Sequence, residues 1–411
     1  MAWDYRRYGS AIDPIHKSAL NDITGDWGCP TRYRYQRDAE ASGTTRDVML
    51  APVRGDAACG TATHETVARA LNNPVSRDRI LTGPGAVSAA DIRRVLVHEL
   101  ESEIGPRRVE WYDNDRDTMI ADRVAMIVGL FDNMYKYVAE VVLVEPAFVM
   151  RIGTHWLQGH IDLVYRPRGA PIGEVALADW KTGAMRPDQI ELDHGWEAGI
   201  YSTALHSGYL LPREALAVTY DVDSKEWTAS LGMFAVTHPS KYIAERMCSE
   251  RALTGAAVAM QTHGNASLTS HLRTLGRFPS EIYHVHLADY VPYKRAGKKK
   301  AERPEDLKFY QRSMPGQVAY VAGDTRGPAW LPVKISEHDI PRVEHRLRNI
   351  VGMIRMGRFI DQVGDRCKRC PFAKDCLTTG YALRGDEAKA VERVLKGVDA
   401  DSAAELDVDR D

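Results

Sequence analysis

Two short acidic segments, Gly159-His160-Ile161-Asp162-Leu163-Val164 and Ala178-Asp179-Trp180-Lys181-Thr182-Gly183, stand on either side of a turn at Arg168-Gly169-Ala170-Pro171. The turn lies midway between positions 162 and 179, so a simple antiparallel hairpin sets Asp162 opposite Asp179, within cross-strand reach. Alternation along the second strand then puts Asp179 and Lys181 on one face and Trp180 on the other. Two carboxylates and one ammonium converge. Hard oxygen ligands of this kind hold Mg²⁺ or Mn²⁺, and a nearby ammonium can offset the charge that develops on a phosphorane, so the grouping suits phosphodiester hydrolysis. Asp-x-Lys alone also occurs in strands as an exposed ion pair, and the neighbouring sequence has to decide between the two.

Elements must carry these residues. Leu157 to Tyr165 and Glu174 to Lys181 read as strands, the second through its apolar run Val175-Ala176-Leu177-Ala178. Upstream, Ala58 to Leu71 reads as a helix entered through small residues, with a lone His64 near its start whose imidazole could complete a His/Asp/Asp metal set. Ser88-Ala89-Ala90-Asp91 resembles a helix cap, and Asp117 to Tyr137 carries a second helical pattern. Later strands are expected at Ala215 to Val222 and Trp227 to Val236, adding an edge to the sheet, with a long helix over Pro239 to Thr262.

The chain ends carry thiols. Cys367-x2-Cys370-x5-Cys376 leaves one position short of four, and Cys29 in Trp27-Gly28-Cys29-Pro30 is the best remaining candidate to fill it. Four thiolates suit a [4Fe-4S] cluster or structural Zn²⁺, and the spacing does not choose between them. With six cysteines in 411 residues and no hydrophobic leader at Met1-Ala2-Trp3-Asp4, a reducing, cytoplasmic setting is expected rather than a disulfide scaffold. Cys59 and Cys248 read as buried thiols.

In this order the motifs resemble the iron-sulfur branch of the RecB-like PD-(D/E)XK nucleases, which includes the AddB nuclease domain and the CRISPR-associated adaptation exonucleases. The shared features are a first Cys, Gly-x3-His on a helix, Gly-x-Ile-Asp, Asp-x-Lys-Thr-Gly, a Gln-x3-Tyr helix and a closing Cys trio, spread over residues 18 to 380. The resemblance implies an α/β fold: a PD-(D/E)XK restriction-endonuclease-like core, its central mixed sheet flanked by helices, with helical elaborations and a four-cysteine cluster joining the N- and C-terminal segments. It implies metal ligation by His64, Asp162, Asp179 and the backbone carbonyl of Trp180, with Lys181 as catalytic lysine and Cys29, Cys367, Cys370 and Cys376 around the cluster. Glu197 and Tyr201 fall on the Gln-x3-Tyr helix, Glu replacing the usual Gln, and Glu145 resembles an acidic position ahead of the first strand. The implied activity is a Mg²⁺- or Mn²⁺-dependent DNA exonuclease acting on duplex ends or single strands in recombination, repair or replication, working with a separate helicase or recombination protein.

Composition leaves this open. Hydrophobic residues are 44% and charged residues 27%, ordinary for a globular chain, and no apolar run is long and uninterrupted enough for a membrane span. The net charge of -2 gives no bulk polycation, so any DNA surface is local. Arg32-Tyr33-Arg34-Tyr35-Gln36-Arg37 and Lys294-Arg295-Ala296-Gly297-Lys298-Lys299-Lys300 are the candidates. Residues 1–380 are expected to form the nuclease domain, with an insertion at about 265–335 and an acidic tail at 381–411. With no Gly-x4-Gly-Lys-Ser/Thr motif in the sequence, no fused helicase motor is expected. Two other classes compete: a noncatalytic DNA-binding scaffold that keeps the fold, and a structural zinc protein in which Asp-x-Lys is incidental.

Overall fold

The computed structural model describes residues 10–11, 13–24, 29–33, 53–105, 109–111, 115–183, 187, 189–262, 270–291 and 329–355. By internal contacts the chain divides into one unit of Leu50–His345 and another of Met1–Met49 with Arg346–Asp411. In the second unit the described residues include a helix, Lys17–Thr24, and a turn in which Tyr33 N donates to the carbonyl of Cys29. Cys367, Cys370 and Cys376 lie outside the described residues, as do Arg34 to Arg37, Lys294 to Lys300 and the expected tail at 381–411.

The larger unit opens with helices. Their boundaries follow local chemistry: α1 is Gly55–Asn72; α2 is Pro74–Thr82, with Pro at its first turn and Asn73 capping Ser76 N. Next comes α3, Ala89–Ile104, capped where Ser88 accepts from Asp91 N, and then α4, Arg116–Met134, capped by Asp115 on Thr118 N. The apolar stripe of α4 (Ile120, Ile127, Leu130, Phe131, Met134) is buried with Val67 and Leu71 of α1 and Leu96 and Leu100 of α3.

A five-stranded mixed sheet lies beside them. It contains β1 (Val138–Val144), β4 (Leu163–Pro167) and β5 (Ala176–Lys181), then β10 (Ile282–His286) and β11 (Trp330–Pro332), in the order β11-β10-β5-β4-β1. Only β10 and β5 run parallel; the other pairs are antiparallel. One face, with Tyr165, Ala178, Trp180, Val285 and Trp330, is buried in the helical core. An α/β architecture of this kind, with mixed sheets flanked by helices, is the one expected.

The hairpin register is also as expected. Leu163 pairs with Ala178 and Tyr165 with Ala176, so Asp162, one step on, stands opposite Asp179. The single strand expected over Leu157 to Tyr165 is instead two. After β1 the chain turns at Glu145-Pro146 into β2 (Ala147–Ile152), which returns through β3 (His155–His160) and passes Ile161-Asp162 before entering β4. β2 pairs with β3 and with β6 (Tyr209–Leu211) in a second antiparallel sheet. The β1–β4 ribbon therefore bends from one sheet into another, and both strands bend at the same level.

Two further expectations change. The strand expected over Trp227 to Val236 is split by a turn at Gly232, whose φ of 57° places it in the left-handed region. The resulting β7 (Ala217–Asp221), β8 (Glu226–Leu231) and β9 (Phe234–His238) make their own three-stranded sheet rather than an edge of the central one. Residues 265–335 are not one excursion, because β10 and β11 fall inside that interval and belong to the central sheet. Helix α7 (Lys241–Thr262) covers the three-stranded sheet, with Cys248 buried beneath it. Cys59 in α1 is buried as well, so both are the thiols expected.

A buried ion trio fastens α1 to α7. Arg213, after β6, donates from Nη2 to Glu65 Oε1 of α1 at 2.9 Å and from Nε to Glu245 Oε2 of α7 at 2.6 Å. Burial pushes the Glu65 carboxyl up to about 7 against the pull of Arg213. Losing the shared cation strands two buried carboxylates. Arg213→Met is therefore expected to destabilise the fold by about 3–5 kcal/mol at pH 8. The loss should shrink toward pH 5 as the Glu65 carboxyl protonates, which denaturant melts at the two pH values would read.

Candidate active site

The corner of the bent ribbon is where the chemistry collects. Glu145 has φ 48°, a left-handed conformation that costs a non-glycine residue on the order of 1–3 kcal/mol. It is held by two backbone bonds across the corner, Glu145 N to the carbonyl of Asp162 at 3.0 Å and Ile161 N to the carbonyl of Pro146 at 3.1 Å. The same turn brings the Glu145 and Asp162 side chains together under α1. There His64 Nδ1 lies 3.4 Å from Glu145 Oε1 and 3.5 Å from Asp162 Oδ1. His64 sits in the middle of α1, because the helix starts at Gly55, before the stretch read as its beginning. The close seat depends on small residues: a Cβ at Gly60, one turn before His64, would meet Thr182 Oγ1 at 3.3 Å.

One donor atom each from His64, Glu145 and Asp162 lies within 4.8 Å of the others. Glu145 is buried, and beyond the long 3.4 Å approach of His64 Nδ1 its Oε1 has no hydrogen-bond donor among the described residues. A buried carboxylate oxygen without a hydrogen-bond donor is costly unless a cation takes that place. One imidazole and two carboxylates form a hard donor set that fits Mg²⁺ or Mn²⁺. The two carboxylates draw positive charge to this corner. Burial disfavours His64 protonation, yet Asp162 and Glu145 raise its pKa to about 10, and burial holds the Glu145 carboxyl above its usual range. Asp162 is pushed up by burial but held below its usual value by His64, by Lys181 and by the Trp180 amide, which donates to Oδ2 at 2.7 Å.

Asp179 and Lys181 form the adjoining half. Lys181 Nζ lies 2.9 Å from Asp179 Oδ2 and 3.2 Å from Glu197 Oε2, and Tyr201 OH donates to Asp179 Oδ1 at 3.5 Å. Burial works against the ammonium, but Asp179, Glu197 and Asp162 keep its pKa above the ordinary lysine value. Glu197 and Tyr201, one turn apart on α6 (Glu197–Ser207), which follows the short α5 (Gln189–His194), thus both face Asp-x-Lys. Buried under α6, the Tyr201 hydroxyl is held well above its usual pKa, and nearby Asp179 and Glu197 add to the effect.

The expected residues therefore meet in two linked groups. His64, Asp162, Asp179, Lys181, Glu197 and Tyr201 all reach the site, with Asp179 turned toward Lys181 and Tyr201 rather than into the tight His64 donor group. Trp180 contributes its amide, while its ring is buried in the helical core. Glu145 is more central than its sequence position suggests; the visible signal was an acid before Pro146 at the end of an apolar strand. Arg123 gave no signal at all. Buried on α4, it donates to the carbonyl of Thr182 at 2.5 Å and fixes the chain just after Lys181. Cys29 is half-buried, and the three cysteines expected to join it lie outside the described residues.

Among the described residues, no helix is long and apolar enough to cross a membrane. No curated protein matches the chain. A family profile described as the PD-(D/E)XK nuclease superfamily matches residues 27–377, a span that contains His64, Glu145, Asp162, Asp179 and Lys181. With that match over most of its length and this acid–lysine geometry, the chain belongs to the PD-(D/E)XK nuclease superfamily, whose chemistry is metal-dependent phosphodiester hydrolysis.

Proposed function

We propose that the protein is a Mg²⁺- or Mn²⁺-dependent DNA exonuclease acting on duplex ends or single strands. The observation that carries the reading is the pairing of a His64–Glu145–Asp162 donor group, its two carboxylates buried, with Lys181 on the neighbouring strand. A bound divalent cation would supply Lewis acidity and lower the pKa of a water molecule. His64, Glu145 and Asp162 would hold it, with Asp179 and the Trp180 carbonyl completing the set from β5. Lys181 offers its ammonium to a phosphate oxygen, and Asp179 and Glu197 keep it charged and aimed. Tyr201 steadies Asp179 from α6, and the Trp180 amide fixes the rotamer of Asp162. Preference for ends or single strands rests on the RecB-like order of motifs, and work alongside a helicase or recombination protein in repair, recombination or replication rests on the same ground. Cleavage of oligonucleotides labelled at either end, single- and double-stranded, tests polarity and end dependence; circular DNA cut as fast as linear DNA would overturn the exonuclease reading.

Asp179→Ala and Lys181→Ala should each lower kcat by at least about 10²-fold while folding is kept, because each removes charge organisation at the scissile phosphate. Near-wild-type cleavage by either variant, purified free of contaminating nuclease, would remove Asp-x-Lys from the site.

Glu145 and Glu197 should separate in metal titrations. Glu145→Gln weakens a ligand and should raise the Mn²⁺ concentration for half-maximal cleavage on the order of 10-fold. Glu197→Gln keeps an acceptor for Lys181 but removes its charge, so kcat should fall while the metal curve stays in place. A shift of the metal curve by Glu197→Gln alone would move Glu197 into the donor group.

For the thiols, the reading is a [4Fe-4S] cluster on Cys29, Cys367, Cys370 and Cys376, with Zn²⁺ as the other occupant of a four-thiolate site. Anaerobically purified protein should be brown, with iron and sulfide lost together in Cys29→Ser. A colourless protein holding zinc selects the other metal, and full cluster content in Cys29→Ser excludes Cys29 as a ligand.

A further inference from the structure

Glu65 and Arg69 of α1 line an open cleft of about 680 Å³ that the chemistry so far leaves unused. Its size is that of a ligand pocket, about 300–1,000 Å³. One wall is α1 and the start of α2, with Arg69 and Arg77. A second is Val141 to Val144 of β1, the strand that runs on into Glu145. The third is Val218 of β7 with Lys241 at the start of α7. The cleft therefore begins beside the corner that carries the donor group.

Its charge is sorted by depth. On the floor the buried Arg213 takes up both Glu65 and Glu245. The side chains of Arg69, Arg77 and Lys241 are 34–44% exposed, against 5–11% for the floor trio, so these three cations stand toward the opening. Among the described residues Glu214 is the one further carboxylate of the lining. Arg69 gives one donor, Nη1, to Glu99 of α3, and a guanidinium has five. Lys241 stands 3.5 Å from Glu245, and Arg77 approaches Asp78 only at 3.9 Å.

An aromatic pair adjoins these cations. Val218 and Tyr220 share one face of β7 by alternation, and the register sets Val218 opposite Ala229 and Tyr220 opposite Trp227. On that face Ala229, Leu231 and Val236 are buried under α7, but α7 starts at Lys241 and leaves Tyr220, on the outer strand, 47% exposed. The Tyr220 and Trp227 ring centroids are 4.8 Å apart, and Lys241 Nζ lies 5.6 Å from the Trp227 centroid. Cations that follow a phosphate backbone, with an exposed ring on which any base can stack, are what a single strand needs. A duplex, whose bases already stack on one another, has no use for the ring.

We infer that this cleft binds nucleic-acid single strand outside the scissile position, with Tyr220 stacking on a base and Arg69, Arg77 and Lys241 meeting its phosphates. The inference rests on the nuclease reading and adds where the strand lies beyond the catalytic centre.

The test is anisotropy of a labelled single-stranded oligonucleotide, and of the duplex of the same sequence, on full-length Lys181→Ala without divalent metal. That parent is measured alone and with Tyr220→Ala, Tyr220→Phe or Arg77→Gln added, with thermal melts alongside. Tyr220→Ala should raise the single-strand Kd about 10-fold, the worth of one stacked base, and Tyr220→Phe, which keeps the ring, should recover it. Arg77→Gln should weaken binding and lower the slope of log Kd against log salt by about 0.7, one phosphate contact on a single strand. Unchanged single-strand affinity in Tyr220→Ala or in Arg77→Gln overturns the cleft, as does a parent protein that binds no single strand. A loss confined to the duplex overturns it too, and so does a Tyr220→Ala loss that comes with a lower melting temperature and that Tyr220→Phe fails to recover. If wild type binds single strands through these residues yet leaves them uncut with Mg²⁺ or Mn²⁺, the nuclease reading fails and the cleft stands.

Discussion

Everything at the site depends on one backbone constraint, the shared bend at Glu145-Pro146 and Ile161-Asp162. A two-stranded ribbon that stayed in a single sheet would leave these residues on an ordinary ladder, their side chains separated by alternation. Because both strands bend together, the Glu145 amide closes onto the Asp162 carbonyl and the two carboxylates meet under α1. The left-handed φ of Glu145 is the local cost of that geometry, and the paired backbone bonds and Pro146 over-determine it. The same bend divides labour along the chain. β4 and β5 stay in the central sheet to hold Asp179 and Lys181, while β2 and β3 leave to build the second sheet.

Charge explains why the site needs a further cation. Glu145, Asp162, Asp179 and Glu197 face Lys181 and His64, so the carboxylates exceed the cations by two with His64 protonated and by three with the neutral imidazole that a metal requires. Buried like charges are tolerated only where something compensates them, and a divalent ion would offset most of that excess. Successive residues of α1 serve separate centres. His64 looks to the ribbon corner, and Glu65, about 100° around the helix, looks to Arg213 and Glu245. The Arg213 trio thus fixes how α1 sits, and the Arg213 charge also reaches Glu145 at the corner.

How much of this the sequence shows follows from where the information is local. The hairpin register was legible because a Gly/Pro turn fixes the midpoint between Asp162 and Asp179, and the Ser88 cap and the α4 pattern were legible for similar reasons. The break inside Leu157–Tyr165 was not, since Gly159-His160-Ile161-Asp162 has the look of a strand and the bend is imposed from the partner strand. Trp227 to Val236 concealed a turn, because Leu231-Gly232-Met233-Phe234 is apolar on both sides of its one glycine. Residues 265–335 read as irregular because β10 and β11 are short and far apart in sequence, and the pairing of β10 with β5 is non-local. The weight of Glu145 depends wholly on tertiary contacts with His64 and Asp162.

Glu197 shows how far a packing detail reaches into the chemistry. It lies on the first turn of α6, and two residues on, Gly199 leaves no room for a side chain, because a Cβ there would run into Val343 of the helix Ile340–Arg355. That contact sets the depth of α6 over the sheet, and the depth sets which groups can reach Lys181. At this depth Tyr201 reaches Asp179 and Glu197 reaches the ammonium, so Lys181 is held from two sides rather than drawn wholly onto Asp179. A lysine shared between two carboxylates keeps its charge and can release either one when a phosphate oxygen arrives. An amide at 197 could accept a hydrogen bond but could not take over the pairing charge. On this geometry the carboxylate at 197 keeps the Lys181 ammonium charged and held above β5 from a second side.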